Sequence, residues 1–180
     1  MSQILCLSGS LRRHSYNTAL LRAARELHPE VVRVGSLNDI PLYNADVESE
    51  RFPAAVEALQ QQIAAADGVL LSSPEYNNSM PGVLKNAIDW LSRPSAEIRN
   101  VFRDKPVAVI GASPGGFGTI SAQTAWLPVW RTLGARHWSG GRLMVSQAHK
   151  RFAENGELAD KELRARLEAY LADFIAFCEG

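Results

Sequence analysis

Apolar and polar positions follow two periodicities along the chain, one typical of strands and one typical of helices. Short apolar runs predict strands that are covered on both faces. Five strands are predicted, at 3–8, 30–37, 67–74, 105–113 and 142–146. Apolar residues at helical spacing predict the helices that separate and follow them. These helices are predicted at 16–27, 53–66, 81–93, a segment that ends near Leu133, and 157–178. The polar stretch 38–52 predicts irregular structure.

This alternation of strand and helix predicts an α/β fold in one domain that spans residues 1–180. The expected architecture is a doubly wound, five-stranded parallel sheet with helices on both faces. Ligands of such sheets bind beyond the carboxyl ends of the strands. Three predicted loops lie there, at 8–16, 74–80 and 112–118, and they hold the densest clusters of Ser, Gly and Asn in the chain. The sequence therefore predicts one ligand site at this edge.

Composition narrows the possible classes of function. The chain has 46% hydrophobic residues, 19 basic residues and 19 acidic residues, so its net charge is zero. That balance gives no support to binding of nucleic acid or of a membrane surface. No apolar stretch approaches the roughly 18–20 residues that span a bilayer, and the first residues lack the basic start of a signal peptide. We therefore expect a cytoplasmic protein.

Several residues that often carry chemistry have a structural interpretation here. Cys6 and Cys178 lie far apart without a CxxC pattern, which predicts reduced structural thiols. The histidines are scattered, so no metal site is predicted. Trp126 and Trp130 stand one helical turn apart and indicate core packing, with a subunit interface as the alternative. Pro128 between them predicts a kink or a restart of the helix.

The first loop, within LSGSLRRHSYNTALL at 7–21, combines small hydrogen-bond donors with positive charge. It ends at a helix N-terminus, where free N–H groups and the helix dipole favour an anion. Ser10, Ser15 and Asn17 can donate to phosphate oxygens, and Arg12 adds charge. An ordinary helix cap by Ser15 or Asn17 is the alternative. Because a cap needs one such residue and the loop has several, the pattern favours an anion site.

The glycine pattern indicates which phosphate this loop would bind. The chain has no GxxxxGK[ST] motif, which excludes a P-loop at the level of the motif. The segment SGSLRRHS also lacks the second and third glycines that bring a pyrophosphate close to the backbone. A terminal monophosphate held by hydroxyl groups fits better. Flavin mononucleotide (FMN) is the common ligand of that type in doubly wound sheets.

The second loop, SSPEYNNSMPG at 72–82, has the composition of a shaped turn that presents backbone N–H and C=O groups. Such groups could bind the polar edge of an isoalloxazine ring, while Tyr76 offers a flat surface. A plain turn in which Glu75 is a solvated carboxylate is an equally good interpretation.

The third loop, GASPG at 111–115, matches the GxSxG nucleophile elbow of α/β-hydrolases. That design needs the N–H of the residue after Ser113, which here is Pro114 and has none. The chain also has no acidic residue between this serine and the two later histidines. The hydrolase interpretation therefore fails. Ser113, Gly115 and Gly116 are better explained as a loop that approaches a flat ligand closely.

Three motifs together, GSLRRHSYNTAL (9–20), PEYNNSMPGVLKNAIDW (74–90) and GASPGGFGT (111–119), carry a family resemblance. They resemble the NAD(P)H-dependent FMN reductases, a family of flavodoxin-like proteins that includes bacterial quinone and chromate reductases. The three motifs in this order are specific, whereas each alone would be weak.

The resemblance implies a set of site residues. The FMN phosphate would be held by Ser10, Arg12, Ser15, Tyr16 and Asn17. The ring would lie against Pro74, Glu75, Tyr76 and Asn77, with Ser113, Gly115 and Gly116 on its other side. Backbone N–H groups from residue 75 to Asn78 would stabilise the reduced flavin.

The resemblance also implies a reaction. NADPH or NADH would pass hydride to FMN, and an acceptor such as a quinone, free flavin or chromate would then be reduced. FMN carries this chemistry, so no catalytic side chain is expected. The family implies a homodimer or homotetramer. The alternative is a flavodoxin-type one-electron carrier without NAD(P)H activity, but such carriers are strongly acidic and this chain is neutral.

Overall fold

The apolar runs form a parallel sheet in the computed structural model, which describes residues 2–180. Its strands are β1 (Ile4–Ser8), β2 (Val32–Gly35), β3 (Gly68–Ser72), β4 (Pro106–Ala112), β5 (Arg136–His137) and β6 (Met144–Val145). The strand order is β2-β1-β3-β4-β5, and β6 also pairs with β4. All pairs are parallel. The predicted doubly wound α/β fold is therefore confirmed.

The fifth strand position differs from the prediction, which placed one strand at 142–146. Two short pieces, β5 and β6, occupy this position along β4. Between them the chain leaves the sheet because Trp138 turns inward and packs edge-on against Tyr170, with 4.7 Å between the ring centroids. The Tyr170 hydroxyl donates to the carbonyl of Val109 at 3.2 Å and replaces a bond that a continuous strand would make.

The predicted helices are all present, and two further short helices join them. The helices are α1 (Tyr16–Leu27), α2 (Ala45–Glu50), α3 (Ala54–Ala65), α4 (Gly82–Leu91), α5 (Ile98–Val101), α6 (Ile120–Leu133) and α7 (Lys161–Glu179). The stretch 38–52 was expected to be irregular, but it contains α2. That helix has no buried residue, so it leaves no apolar period in the sequence. Helix α5 has four residues, which are too few to show an apolar period in the sequence. Within residues 2–180, none of the helices has both the length and the apolar character that a transmembrane span needs.

The sheet separates two hydrophobic cores, as the alternation of side chains along a strand requires. From β1, Ile4 and Cys6 point to a core shared with α1 and α7. Leu5 and Leu7 point to the opposite core, which α3, α4 and α6 cover. Cys6 is fully buried, and this burial raises the pKa of its thiol. Its predicted structural role is therefore confirmed.

Helix α6 runs without interruption through Pro128, so the helix does not restart there. Pro128 has no N–H, so the carbonyl of Thr124 lacks the hydrogen bond that another residue at position 128 would donate. Both residues are exposed, so water can solvate this carbonyl. Trp126 and Trp130 are buried and stack with their centroids 5.3 Å apart. Core packing is therefore confirmed for these two residues, and they cannot form an exposed interface.

Candidate cofactor site at the carboxyl edge of the sheet

The three predicted loops begin side by side because β1, β3 and β4 are neighbours in the sheet. Ser8 pairs with Ser72 at the ends of β1 and β3. The next residue, Gly9, donates its N–H to the Ser72 carbonyl at 2.9 Å, and Ser73 donates to Ile110 of β4 at 2.8 Å. The candidate residues of all three motifs therefore lie at one edge of the sheet.

The first turn of α1 contains both a helix cap and backbone N–H groups that are free to bind a ligand. Ser15 is buried, and its hydroxyl caps the helix by accepting from the Thr18 N–H at 3.3 Å. The N–H groups of Tyr16 and Asn17, in the same first turn, have no hydrogen-bond acceptor within residues 2–180. Two free donors and the positive end of a helix dipole are suited to a phosphate. The residues present therefore fit an FMN phosphate.

The side chain of Asn17 has a structural role, although its position in the sequence suggests that it binds phosphate. Its amide is buried between strand ends and makes three hydrogen bonds. Nδ2 donates to the Ala112 carbonyl at 2.9 Å, while Oδ1 accepts from the Ala112 N–H and from the Ser72 hydroxyl, both at 3.0 Å. The side chain thus joins α1 to β3 and β4, and only its backbone N–H is free for a ligand.

Positive charge surrounds this loop without being neutralised. Arg12, Arg13 and His14 are exposed. None of them takes part in the ion pairs of the described residues, 2–180. The Arg12 guanidinium lies 5.4 Å from the centroid of the Tyr16 ring, which is cation–π distance. Ser10 accepts a long hydrogen bond, 3.4 Å, from the Arg12 N–H. Arg12 therefore lies on the exposed side of the first loop, next to the start of α1.

The second loop is a two-residue hairpin. Tyr76 and Ser79 exchange backbone hydrogen bonds of 3.1 and 3.0 Å. Asn77 and Asn78 between them have φ angles of 49° and 58°, as a type I′ turn requires, and Asn tolerates this conformation well. Tyr76 is half exposed. By contrast, Pro74 is buried at the base of the turn. The predicted shaped turn is present, with its N–H groups at an exposed tip.

Glu75 joins the second loop to α6. Its Oε2 accepts from the N–H of Ala122 at 3.0 Å, in the first turn of that helix. The N-cap residue Thr119 makes no capping bond with its own side chain, so Glu75 takes over that role. The carboxylate is therefore not simply solvated.

The third loop is fixed on one side and open on the other. Ser113 accepts at its hydroxyl from the Gly115 N–H at 3.1 Å, and the Ser113 N–H donates to the carbonyl of Val145. An added Cβ at Gly116 would have no atom within 4 Å, so the protein itself does not require glycine there. Phe117, the next residue, is 87% exposed. This open edge leaves room for a flat ligand.

Sequence reasoning missed the buried layer beneath these loops. At Gly111 an added Cβ would come within 2.3 Å of both the Ser73 carbonyl oxygen and the Thr119 hydroxyl. Ser73 is fully buried, and its hydroxyl accepts from Trp126 Nε1 at 3.1 Å. The two consecutive serines that close an apolar strand, Ser72 and Ser73, are the sequence signal that could have indicated this layer.

The described residues offer little other chemistry. Residues 2–180 contain no group of three or more His, Cys, Asp or Glu side chains that could hold a metal ion. Cys178 is free, and desolvation raises the pKa of its thiol to about 12, which keeps it protonated and weakly reactive.

The chain is similar in sequence and structure to a group of flavin-dependent reductases. The model of the family described as NADPH-dependent FMN reductase matches residues 2–150. An NAD(P)H-dependent FMN reductase of Pseudomonas aeruginosa is 43% identical over 94% of this chain and 91% of its own length. A 2-hydroxy-1,4-benzoquinone reductase of a Burkholderia species is 38% identical over 97% of this chain and 95% of its own. Among solved structures, the chain is similar to the flavoenzyme FerB, an NAD(P)H:(acceptor) oxidoreductase of Paracoccus denitrificans. The two structures superpose with a TM-score of 0.88 and share 32% sequence identity. The match covers 99% of this chain and 98% of the FerB chain.

Proposed function

The chain belongs to the NADPH-dependent FMN reductase family, and on that premise we propose that it reduces a quinone with electrons from NAD(P)H. Membership makes it an oxidoreductase that uses FMN and NAD(P)H, with the flavodoxin-like fold of its relatives. The placement of FMN rests on one observation above all. The free N–H groups of Tyr16 and Asn17 stand at a helix N-terminus beside Arg12, which forms no ion pair within residues 2–180.

The first loop would anchor the FMN phosphate. The N–H groups of Tyr16 and Asn17 would donate to its oxygens, as would the hydroxyls of Ser10 and Ser15. The Arg12 guanidinium would add a charge-assisted bond, which is stronger than a neutral one. The Ser15 hydroxyl keeps an acceptor role toward Thr18 and still has its own proton to donate.

The second and third loops would hold the flavin ring from opposite sides. Pro74, Glu75, Tyr76, Asn77 and Asn78 would lie on one side, and Ser113, Gly115 and Gly116 on the other. FMN supplies hydride transfer when bound, and the protein orients both substrates and excludes water. The backbone N–H groups of Asn77 and Asn78 have no acceptor within residues 2–180. These donors would stabilise negative charge at the polar edge of the ring.

A quinone is the acceptor that the exposed edge suits best. Tyr76 on the second loop is 50% exposed and Phe117 on the third loop is 87% exposed, so both loops offer aromatic surface at this edge of the sheet. Flat, neutral molecules stack on such surfaces. Two of its relatives, from Burkholderia and Pseudomonas putida, are named as quinone reductases. Free flavin shares the flat shape, whereas chromate does not.

The protein would work as a homodimer or homotetramer. Ile120 and Leu127 are 48% and 45% exposed on the same side of α6, next to the exposed Phe117. A monomer gains nothing from such a row of apolar side chains in water, and a second copy could cover it. We also propose a cytoplasmic location, which fits the two free cysteines.

An absorbance experiment tests the proposed function. The purified protein is saturated with FMN, freed of unbound flavin and treated with NADPH or NADH without oxygen. We expect the visible flavin absorbance to disappear and to return when a benzoquinone is added. If FMN binds and dithionite bleaches it while neither nucleotide does, the one-electron carrier is the better description. If FMN does not bind, both descriptions fail.

A further inference from the structure

A basic cleft adjoins the predicted phosphate loop and shares Arg12, Ser15 and Tyr16 with the residues assigned to FMN. It is a cavity of about 430 Å³ between α1 and the segment 149–156 that follows β6. The charged and titratable side chains around it are Arg12, Arg13, His14, Arg22, His149 and Glu154. Three arginines and two histidines therefore face one carboxylate. We call this cavity the α1 cleft.

Within residues 2–180, the arginines of the α1 cleft form no ion pair. The basic residues that form ion pairs in residues 2–180 are Lys85, Arg93, Arg151 and Arg164. Arg12, Arg13 and Arg22 are absent from that set. Since the whole chain has a net charge of zero, this accumulation is local and not a general basic surface. Unpaired cations around a cavity attract an anion.

The walls of the α1 cleft suit a group larger than a simple ion. The rings of Tyr16 and Phe152 line it, with their centroids 5.4 Å apart. Ala19 leaves room on the helix where a larger side chain would fill the cavity. At Gly156 an added Cβ would approach Arg22 Nη2 to 3.9 Å, so the segment passes close to that guanidinium. Aromatic walls, a small residue and arginines are the features of a nucleotide subsite.

We propose that the α1 cleft binds a phosphate group of the pyridine dinucleotide that donates electrons to FMN. This inference rests on the proposed function. The cleft adjoins the FMN phosphate loop through Arg12, Ser15 and Tyr16, yet Arg13 and Arg22 remain for a second anion. The bound phosphate is either the pyrophosphate that NADH and NADPH share or the 2′-phosphate of NADPH alone. Both are multiply charged groups that arginine recognises with paired N–H donors.

Binding of nucleotides without a nicotinamide ring tests the inference apart from the reaction. The FMN-loaded protein is titrated calorimetrically with 5′-AMP, 5′-ADP and 2′,5′-ADP, and then the Arg13→Gln and Arg22→Gln variants are titrated. We expect each variant to bind about fivefold more weakly, the effect of one exposed charge-assisted contact. If only 2′,5′-ADP is affected, the cleft binds the 2′-phosphate. If 5′-ADP is affected equally, it binds the pyrophosphate.

Two further variants complete the test: one should strengthen nucleotide binding, and the other is a control. Glu154→Gln removes the only carboxylate of the α1 cleft, so it should strengthen binding by a similar factor. Arg99→Gln removes an exposed arginine from α5, which packs on the opposite face of the sheet, and it should change nothing. Unchanged affinities for Arg13→Gln and Arg22→Gln, or no binding by the wild type, would overturn the proposal. Bleaching of the flavin by NADPH, measured on the same samples, reports separately on the proposed function.

Discussion

Two layers of polar residues lie at the same sheet edge, and the protein uses them in opposite ways. Asn17, Ser72, Ser73 and Thr119 are buried and bond to one another or to nearby main chain and side chains. In the second layer, Arg12, Arg13, Asn77, Asn78 and Gly116 are exposed.

The difference between the layers separates stability from binding. Buried polar groups must find partners because an unsatisfied one costs about 1–3 kcal/mol. The buried layer therefore fixes where the three loops begin. The exposed layer is in contact with solvent, so it is free to bind a ligand. Substitutions in the first layer should destabilise the fold, and those in the second should weaken ligand binding alone.

The largest effect on stability is expected for Asn17→Ala. The substitution removes three buried hydrogen bonds and leaves both backbone groups of Ala112 without a partner. We expect the free energy of unfolding to fall by about 4 kcal/mol, measured by denaturant titration. Asn100→Ala, at an exposed position of α5, is the control and should change it by less than about 0.5 kcal/mol. Equal losses for the two variants would contradict the division into layers.

A pair of glycine substitutions separates the two layers most cleanly. At Gly111, Ala would place a methyl group 2.3 Å from the Ser73 carbonyl oxygen, whereas at Gly116 it would meet no atom within 4 Å. We expect Gly111→Ala to lower the free energy of unfolding by about 3 kcal/mol. Gly116→Ala should leave that free energy unchanged and raise the FMN dissociation constant about tenfold, by narrowing the space for the ring. Full FMN affinity in Gly116→Ala would place the ring elsewhere.

The link between the second loop and α6 should have a smaller effect. Glu75→Gln keeps the shape of the side chain but removes the charge that faces the N-terminus of the helix. We expect a loss of about 1 kcal/mol in the free energy of unfolding. High salt should reduce this loss, because it screens charge. A loss that salt does not change would mean that the charge has no part in it.

The smallest effect concerns the polar strap 38–52, which lies outside both layers. Glu48 accepts from Arg93 Nε at 2.9 Å and from the Tyr43 hydroxyl at 2.8 Å. The hydrogen bond from Arg93 lowers the pKa of Glu48 below its ordinary value. A lowered carboxyl pKa stabilises the fold above the unfolded value, about 4.3, and this contribution is lost as the pH falls through the folded value. Glu48→Gln should therefore be less stable than the wild type at neutral pH, and the difference should vanish in acid.

The sequence predicted the elements whose patterns are local and missed those set by distant contacts. Helix α1 begins and ends at the predicted residues because its apolar period is strong and Ser15 caps it. The division of the fifth strand depends on Trp138 packing against Tyr170, which no local pattern indicates. Helix α2 buries nothing and therefore has no pattern to detect.

The same distinction applies to the site. Composition and motif order predicted which three loops meet, because parallel strands end at one edge. They could not predict that the Asn17 side chain bonds to Ala112, 95 residues later, or that Glu75 caps a helix at Ala122, 47 residues later. A motif contains residues of both layers, and only the fold assigns each one to its layer.

A comparison of FMN with riboflavin, which lacks the phosphate, tests most directly whether the first loop binds phosphate. Dissociation constants of both are measured for the wild-type apoprotein and for Arg12→Ala. If the first loop is a phosphate anchor, FMN should bind about 100-fold more tightly than riboflavin, and Arg12→Ala should reduce that ratio about tenfold without changing the riboflavin affinity. Equal affinities of the wild type for FMN and riboflavin would show that the first loop does not bind the phosphate.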